Sequence, residues 1–279
     1  MGKKDEKETI GLDAQIAEEL DKAIDDLTLF DDDLMSKVFD GNKEATELLL
    51  RIILERDDIK VIKVRGQVEM KNPLSGGRNI RIDIHAIDGD RNEFDVEVQR
   101  GEEGSHPRRA RFNGSMLDSR MLKKKQKFKE LEDAYVIFIC QHDKFGENKP
   151  IYHIDKTVRE TGTPYDDGAY TIYVNGLYKG DDAIGKLAHD FNCTKADDIY
   201  YKPLAEGVRH FKETEEGRGI MCESFNKLAD KVADKREEKT KVDIVKALMD
   251  NMKWSLEQAL TASGIQGKDR AIIAKQLQN

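Results

Sequence analysis

The chain alternates apolar and polar residues over two neighbouring stretches, Ile80–Ala86 and Phe94–Gln99. Alternation with a period of two predicts β-strands that bury one face and leave the other face polar. The segment Asp88–Asn92 lies between them and has the Asp, Gly and Asn composition of a tight turn. The pattern therefore predicts a β-hairpin, in which a loop centred on Asp90 pairs residues whose numbers sum to 180.

This register places Asp83 directly opposite Glu97 on the polar face of the hairpin. Like charges directly opposite each other destabilise paired strands, and a divalent cation held by both carboxylates would remove the repulsion. The alternative is a solvated polar face, where acids are common. Gln99 shares the face of Glu97. His85 faces Asp95, where it would bind a metal or substrate or make a surface His–Asp contact.

Further elements follow from helical spacing, capping residues and apolar runs. The predicted helices are Ala14–Leu27, one starting over Asp32–Phe39, Lys43–Leu54 capped by Asn42, Pro107–Leu131, Arg218–Lys239, Lys241–Ala259 and a small helix-turn unit from Ser255 to Leu277. The predicted strands outside the hairpin are Ile59–Val64, Ala134–Cys140 and Ala169–Asn175. Ala134–Cys140 is apolar throughout, which is typical of a strand buried on both faces. The order of elements predicts an α/β fold with a mixed sheet.

The distribution of charge separates two parts of the chain. The net charge of −8 argues against nucleic acid as a partner. Residues 108–129, however, hold nine basic residues and one acid, a net charge of +8, and follow the acidic hairpin directly. This run is either a DNA-binding surface or a solvated helix face. Residues 5–33 carry a net charge of −10 and form either an arm that competes with DNA or a solubilising tail.

Composition restricts the class of protein further. Charged residues make up 37% of the chain, and we find neither an apolar run of membrane-spanning length nor a secretory signal. The cysteines Cys140, Cys193 and Cys222 are widely spaced, which argues against a disulfide framework and a zinc ribbon. The six histidines show no metal-ligand spacing. We therefore expect a cytoplasmic protein with no membrane partner.

The order of motifs resembles the PD-(D/E)XK nuclease superfamily, and more specifically its Rpn-type recombination-promoting nucleases, also called PDDEXK-family transposases. The similarity rests on Asp83, the turn and the triplet Glu97-Val98-Gln99, and on three further segments: Leu29–Phe39, Arg108–Leu122 and Ala134–Cys140. It covers roughly residues 29–176. The resemblance implies a restriction-endonuclease-like mixed sheet flanked by helices, with a helical C-terminal region. It also implies a bacterial, metal-dependent DNA endonuclease associated with transposition or recombination.

The resemblance assigns roles to individual residues. Asp83, Glu97 and the backbone carbonyl of Val98 would hold Mg²⁺ or Mn²⁺, with Ca²⁺ as a further candidate. Gln99 stands where the superfamily usually has Lys, and its amide would orient water or a phosphate oxygen without adding charge. From the helix pattern, Glu44 and Glu47 are further candidate site carboxylates that would either reach the hairpin, with Glu44 as a metal ligand, or face solvent. The predicted DNA-binding residues are Arg108, Arg109, Arg111, Arg120, Lys123, Lys124 and Lys127.

Two other functions stay open at this point. One is a non-cleaving DNA- or protein-binding member of the same fold, which the Gln at position 99 favours. The other is an interaction protein that acts through its C-terminal helices. The same helices are candidates for an interface between copies of this chain in a homo-oligomer. We divide the chain into an acidic N-terminal arm (1–28), a nuclease-like core (29–180) and a C-terminal helical region (181–279).

Overall fold

A six-stranded mixed sheet organises the protein, whose computed structural model describes residues 18–278. The strands lie in the order β1-β2-β3-β4-β6-β5. Their bounds are β1 Val61–Met70, β2 Ile80–Asp88, β3 Glu93–Gln99, β4 Ala134–Cys140, β5 Ile151–Ile154 and β6 Ala169–Asn175. β3, β4 and β6 run parallel, and the other pairs of neighbours are antiparallel. The predicted α/β class and mixed sheet are confirmed.

Helices precede and follow the strands in the chain. They are α1 (residues 18–25), α2 Asp32–Phe39, α3 Lys43–Leu54, α4 Pro107–Met121, α5 Ala183–Asn192, α6 Lys202–Glu213, α7 Glu215–Met252, α8 Leu256–Ala262 and α9 Gly267–Gln278. The predicted cap of α3 is confirmed, since the Asn42 side chain accepts a hydrogen bond from the Ala45 amide. The predicted start of α2 at Asp32 is confirmed too.

The hairpin of β2 and β3 has the predicted register. Ile84 pairs with Val96 and Ala86 pairs with Phe94, so paired numbers sum to 180. The Asp88 carboxylate fixes the turn by accepting hydrogen bonds from the Asp90 amide at 3.0 Å and from the Asn92 amide at 2.9 Å. The paired ladder ends at Ile84 and Val96, one position before Asp83 and Glu97. Asp83 and Glu97 are therefore not paired in the β2–β3 ladder, although the register predicted that they would be.

The polar face of the hairpin is buried, whereas the alternation predicted strands that were buried on one face only. From Phe94 to Val98 every residue of β3 is buried. Helix α4 covers this region, and its residues Met116 and Leu117 share an apolar core with Phe138 of β4. The alternation shows which residues of a strand are apolar and which are polar, but it does not show that a helix packs over the polar face.

Two predicted helical regions have different bounds in the structure. α4 was predicted to run to Leu131 but ends at Met121, and Lys125 has a positive φ of 80°. The reason is charge and packing: basic residues at helical spacing repel each other, and the lysine-rich segment offers no apolar residue to the core. Helices Arg218–Lys239 and Lys241–Ala259 were predicted separately, but α7 is continuous from Glu215 to Met252. Lys239, Thr240 and Lys241 contain no helix breaker.

Two strands also differ from the prediction made from the sequence. Ile59–Val64 was predicted, and the strand observed is Val61–Met70. Its second half alternates across an exposed surface, which weakens the apolar signal. The edge strand Ile151–Ile154 was not predicted, because it has four residues and none of them is buried.

The chain separates into two compact units, Met1–Met221 and Cys222–Asn279. In the first unit, α6 packs against α2 and α3, and α5 packs against α3. In the second, Val245 of α7 packs with Leu260 of α8 and Ile273 of α9. Our division at residue 180 stays a prediction. Among residues 18–278, no helix has the length and apolar character needed to cross a membrane.

The first unit includes the end of the predicted acidic arm. Residues 1–17 lie outside the described part, as does the start of the helix predicted over Ala14–Leu27. Ile24 is fully buried. Arg218 donates hydrogen bonds to Asp21 at 2.6 Å and to Asp25 at 2.7 Å. Within the described residues, the arm is therefore held by contacts with the first unit.

Candidate active site

Glu97 lies at the centre of a buried polar network. Its carboxylate is fully buried on β3 and accepts hydrogen bonds from three side chains. Arg109 of α4 donates to Oε2, Asn113 of the same helix donates to Oε1 at 3.2 Å, and Gln99 donates to Oε2 at 3.2 Å. Helix α4 follows β3 after a short loop and packs over it, so residues distant by more than ten positions meet here. The network fixes the position of the Glu97 carboxylate.

Asp83 reaches the same region from β2. Its carboxylate accepts a hydrogen bond from the Val98 amide at 3.0 Å. This bond forms just beyond the end of the β2–β3 ladder, where the side chain takes the place of a backbone partner. Asp83 is 5% exposed and faces a cleft. The structure thus brings Asp83, Val98 and Gln99 to one cleft, and places Glu97 beside Gln99 on the same strand.

A third acid, Asp95, lies two residues before Glu97 on β3 and was not predicted as a site residue. It is fully buried, and its Oδ2 accepts a hydrogen bond from Asn113 at 2.7 Å. Its Oδ1 is buried and has no hydrogen-bond partner among the described residues. The sequence paired Asp95 with His85, and the backbone register bears this out. The His85 ring instead contacts the Glu93 carboxylate at 2.8 Å and is buried, so the predicted surface His–Asp contact is wrong.

Ionised together, the three acids would carry three negative charges, and the Arg109 guanidinium that bonds to Glu97 supplies one positive charge. Burial raises the pKa of Asp83, Asp95 and Glu97 above the usual range of a carboxyl group. The charges of Asp95 and Asp83 raise the pKa of Glu97 further, and the guanidinium of Arg109 opposes them. A divalent cation takes carboxylate and carbonyl oxygens as ligands and would supply the missing positive charge. The donor set therefore fits Mg²⁺ or Mn²⁺.

This arrangement predicts an unusual pH dependence of stability. A carboxyl whose pKa is higher in the folded chain than in the unfolded chain stabilises the fold at low pH. That contribution is lost as the pH rises through the folded-state value. In a chelator, we therefore expect Glu97→Gln to gain stability relative to wild type as the pH rises from about 4, near the pKa of an unfolded Glu, to the folded-state pKa of about 10.

The measurement is the difference in Tm between Glu97→Gln and wild type across this range. Each unit of pKa shift corresponds to about 1.4 kcal/mol. A shift of that size moves the Tm of domains of comparable length by roughly 3–6 °C. Parallel Tm curves for the two proteins would show that Glu97 is not held at a raised pKa.

The cleft that contains Asp83 has a volume of about 1120 Å³ and lies between the start of α2, strands β2 and β3, and α4. Asp31 and Asp32 also line it, although the sequence pattern indicated only a helix start there. The charge of Asp32 contributes to the raised pKa of Asp83. Because these acids are about fifty positions from Asp83 in the sequence, only the fold brings them together.

Arginines form much of the wall of this cleft. The predicted DNA-binding residues Arg108, Arg109 and Arg111 line it. Three further arginines line it that the sequence did not single out: Arg78, Arg81 and Arg100. Of these, Arg81 pairs with Asp32 at 3.3 Å and Arg100 pairs with Asp31 at 2.8 Å. These arginines are dispersed in the sequence and form no run of basic residues, so the charge pattern did not indicate that they line a common cleft.

The other predicted residues lie elsewhere. Arg120 donates hydrogen bonds to the carbonyl oxygens of Met116 and Lys71 and does not line the cleft. The predicted DNA-binding lysines are exposed in the segment after α4: Lys123, Lys124 and Lys127. Glu44 is exposed on α3 and does not line the cleft. Glu47 pairs with Arg51 at 3.0 Å.

Gln99 is positioned by a close approach of the backbone. A Cβ added at Gly104 would lie 1.7 Å from Gln99 Oε1, so a side chain at position 104 would displace the Gln99 amide. Gly104 also accepts a hydrogen bond from Arg109 at 3.0 Å through its carbonyl oxygen. The loop between β3 and α4 therefore holds both residues that contact Glu97 Oε2.

The sheet, the flanking helices and the acid cluster beside an arginine-lined cleft define a restriction-endonuclease-like protein. A family model described as a PD-(D/E)XK nuclease family transposase matches residues 34–178. The match covers more than half of the chain, so the chain belongs to the PD-(D/E)XK nuclease family transposases. No curated protein and no solved structure gives a significant match.

Proposed function

We propose that this protein is a metal-dependent DNA endonuclease that hydrolyses phosphodiester bonds in the cleft lined by Asp83. The observation that carries the proposal is the cluster of buried acids with raised pKa values beside a cleft lined by arginines. An acid cluster of this kind is costly to bury, and its cost is offset when a cation binds. Membership of a nuclease family supports the same reaction.

Asp83, Glu97 and the backbone carbonyl of Val98 are the proposed ligands of Mg²⁺ or Mn²⁺, with Ca²⁺ as a further candidate. When bound, such a cation polarises a phosphoryl oxygen and lowers the pKa of coordinated water. Glu97 would exchange its contact with Arg109 for the cation. Arg109 would then be free to contact a phosphate oxygen, for which its planar guanidinium is suited.

Gln99 is proposed to orient the attacking water. Its Nε2 donates to Glu97, so its Oε1 is the amide atom left to accept a hydrogen bond from water. A glutamine carries no charge, and it therefore positions water without acting as a base. The other arginines of the cleft would bind the phosphates of DNA on either side of the scissile bond.

A second function has one specific observation in its favour. Gln99 stands at the position where a lysine would supply positive charge to the water or phosphate. A protein of this fold that binds DNA or a protein without cleavage would tolerate that difference. The roles in transposition or recombination, the bacterial cytoplasmic location and homo-oligomerisation through the C-terminal helices stay predictions.

A plasmid assay separates these functions. We expect the wild-type protein to convert supercoiled plasmid to nicked and linear forms with Mg²⁺ or Mn²⁺, and to leave it intact in EDTA. Binding of the plasmid without cleavage in Mg²⁺, Mn²⁺ and Ca²⁺ would support the second function. Equal cleavage with and without chelator would refute metal dependence.

A further inference from the structure

Three potential metal ligands converge at the C-terminal end of α5, outside the nuclease cleft. His189 Nδ1 lies 3.4 Å from Cys193 Sγ and 3.3 Å from Asp190 Oδ1. All three ligand atoms lie within 4.8 Å of one another. None of these residues lines the cleft that contains Asp83. The nuclease mechanism proposed above leaves this cluster unused.

The local structure holds the three side chains in place. His189 and Cys193 are four residues apart at a helix end, and this spacing puts them on the same side of α5. Asp190 is fully buried, and its two carboxylate oxygens accept hydrogen bonds from the amides of Tyr200 at 2.8 Å and Tyr201 at 2.9 Å. The Tyr200 ring lies 4.7 Å from the His189 ring.

Two of the distances in the cluster are close to those between ligands of a tetrahedral zinc ion. Zn–S bonds of about 2.3 Å and Zn–N or Zn–O bonds of about 2.0–2.1 Å separate neighbouring ligand atoms by about 3.3–3.6 Å. His189 Nδ1 has this spacing to both of its neighbours. Cys193 Sγ also lies 3.7 Å from Nε2, so the exposed imidazole would turn about its Cβ–Cγ bond to direct Nδ1 at a shared ion. Each Asp190 oxygen accepts one backbone amide hydrogen bond, which leaves a second lone pair for a cation.

The cluster also opens onto a cavity. A cavity of about 680 Å³ is lined by His189, Cys193 and Tyr200, together with the loop Gly176–Asp181. A site with three protein ligands and one position open to a cavity is typical of zinc centres that bind water or an exogenous ligand. Closed structural sites, in contrast, take all four ligands from the protein.

We propose that His189, Asp190 and Cys193 form a Zn²⁺ site whose fourth position is open to this cavity. The imidazole supplies Nδ1, the Asp190 carboxylate supplies Oδ1 and the Cys193 thiol loses its proton to solvent to bind as a thiolate. The mixed nitrogen, oxygen and sulfur set selects zinc over the magnesium preferred by the all-oxygen nuclease site. All three ligands come from the end of α5, and Asp190 joins them to the segment that carries Tyr200 and Tyr201 through its two hydrogen bonds.

Cobalt substitution tests the site with a readout independent of nuclease activity. The 279-residue chain is freed of metal with a chelator and titrated with Co²⁺, whose thiolate complexes give a ligand-to-metal charge-transfer band. We expect the band to saturate at one equivalent of Co²⁺ and to disappear when Zn²⁺ is added. The oxygen ligands of the nuclease cleft give no such band, so failure of one site is distinguishable from failure of the other.

Matched variants assign the band to these residues. Cys193→Ser and His189→Ala should abolish it, and Cys222→Ser, which changes another partly buried cysteine, should leave it unchanged. Because the His189 side chain is exposed, we expect the His189→Ala variant to fold. Its far-UV circular dichroism spectrum and its Tm check this. No thiolate band in the wild type, or an equal band in folded Cys193→Ser, would overturn the proposal.

Discussion

Glu97→Gln and Asp83→Asn are expected to reduce DNA cleavage by about 1,000-fold or more each. Both substitutions keep the size of the side chain and remove the negative charge that holds a cation. A metal ion contributes several kcal/mol to transition-state stabilisation in phosphoryl chemistry, and about 4 kcal/mol corresponds to a factor of 1,000. Rates of plasmid nicking in Mg²⁺, measured at saturating enzyme, provide the test.

Glu93→Gln is the matched control for this experiment. Glu93 lies on the same strand four residues before Glu97, and its carboxylate contacts His85 and does not line the cleft. We expect this variant to cut at the wild-type rate. Wild-type rates for correctly folded Glu97→Gln and Asp83→Asn would remove both residues from the reaction.

The second large effect concerns DNA affinity. Replacing Arg78, Arg108 and Arg111 by Gln should weaken binding to all DNA sequences alike, since phosphate contacts carry no sequence information. Each phosphate contact contributes about 0.9 to the slope of log affinity against log salt concentration. The triple variant should therefore flatten that slope by about two to three units. Fluorescence anisotropy of a labelled duplex across a salt titration measures it.

A lysine variant of equal charge change serves as the comparison. Lys123, Lys124 and Lys127 lie beyond the end of α4 and are exposed, and they were predicted to bind DNA. If the arginine variant keeps the wild-type salt slope and the lysine variant has a flatter slope, DNA binds along the segment after α4 and does not bind in the cleft. If both variants flatten the slope, the DNA path covers the cleft and that segment together.

The sequence predicted the centre of the fold well for a physical reason. The apolar residues follow patterns typical of buried or half-buried strands in β2, β3, β4 and β6. The ends of β4 and β6 coincide with those predicted. The turn after Asp88 and the Asn42 cap depend on side chains that bond to nearby backbone, so short-range chemistry decided them. Such features need no knowledge of distant contacts.

The features that the sequence did not reveal depend on distant contacts. Asp95 became a site residue because Asn113 and the cover of α4 bury it, and neither is encoded in the alternation of β3. Asp31 and Asp32 were visible as acids at a helix start, but their position in the cleft follows from how α2 packs on the sheet. The dispersed cleft arginines were missed for the same reason.

Anomalous scattering from crystals grown with Mn²⁺ locates the proposed cation. We expect a peak within ligand distance of the Asp83 and Glu97 carboxylates and the Val98 carbonyl oxygen, with Arg109 moved away from Glu97. A cation that binds elsewhere while Glu97 keeps its bonds to Arg109 and Asn113, at a concentration that supports cleavage, would contradict this expectation.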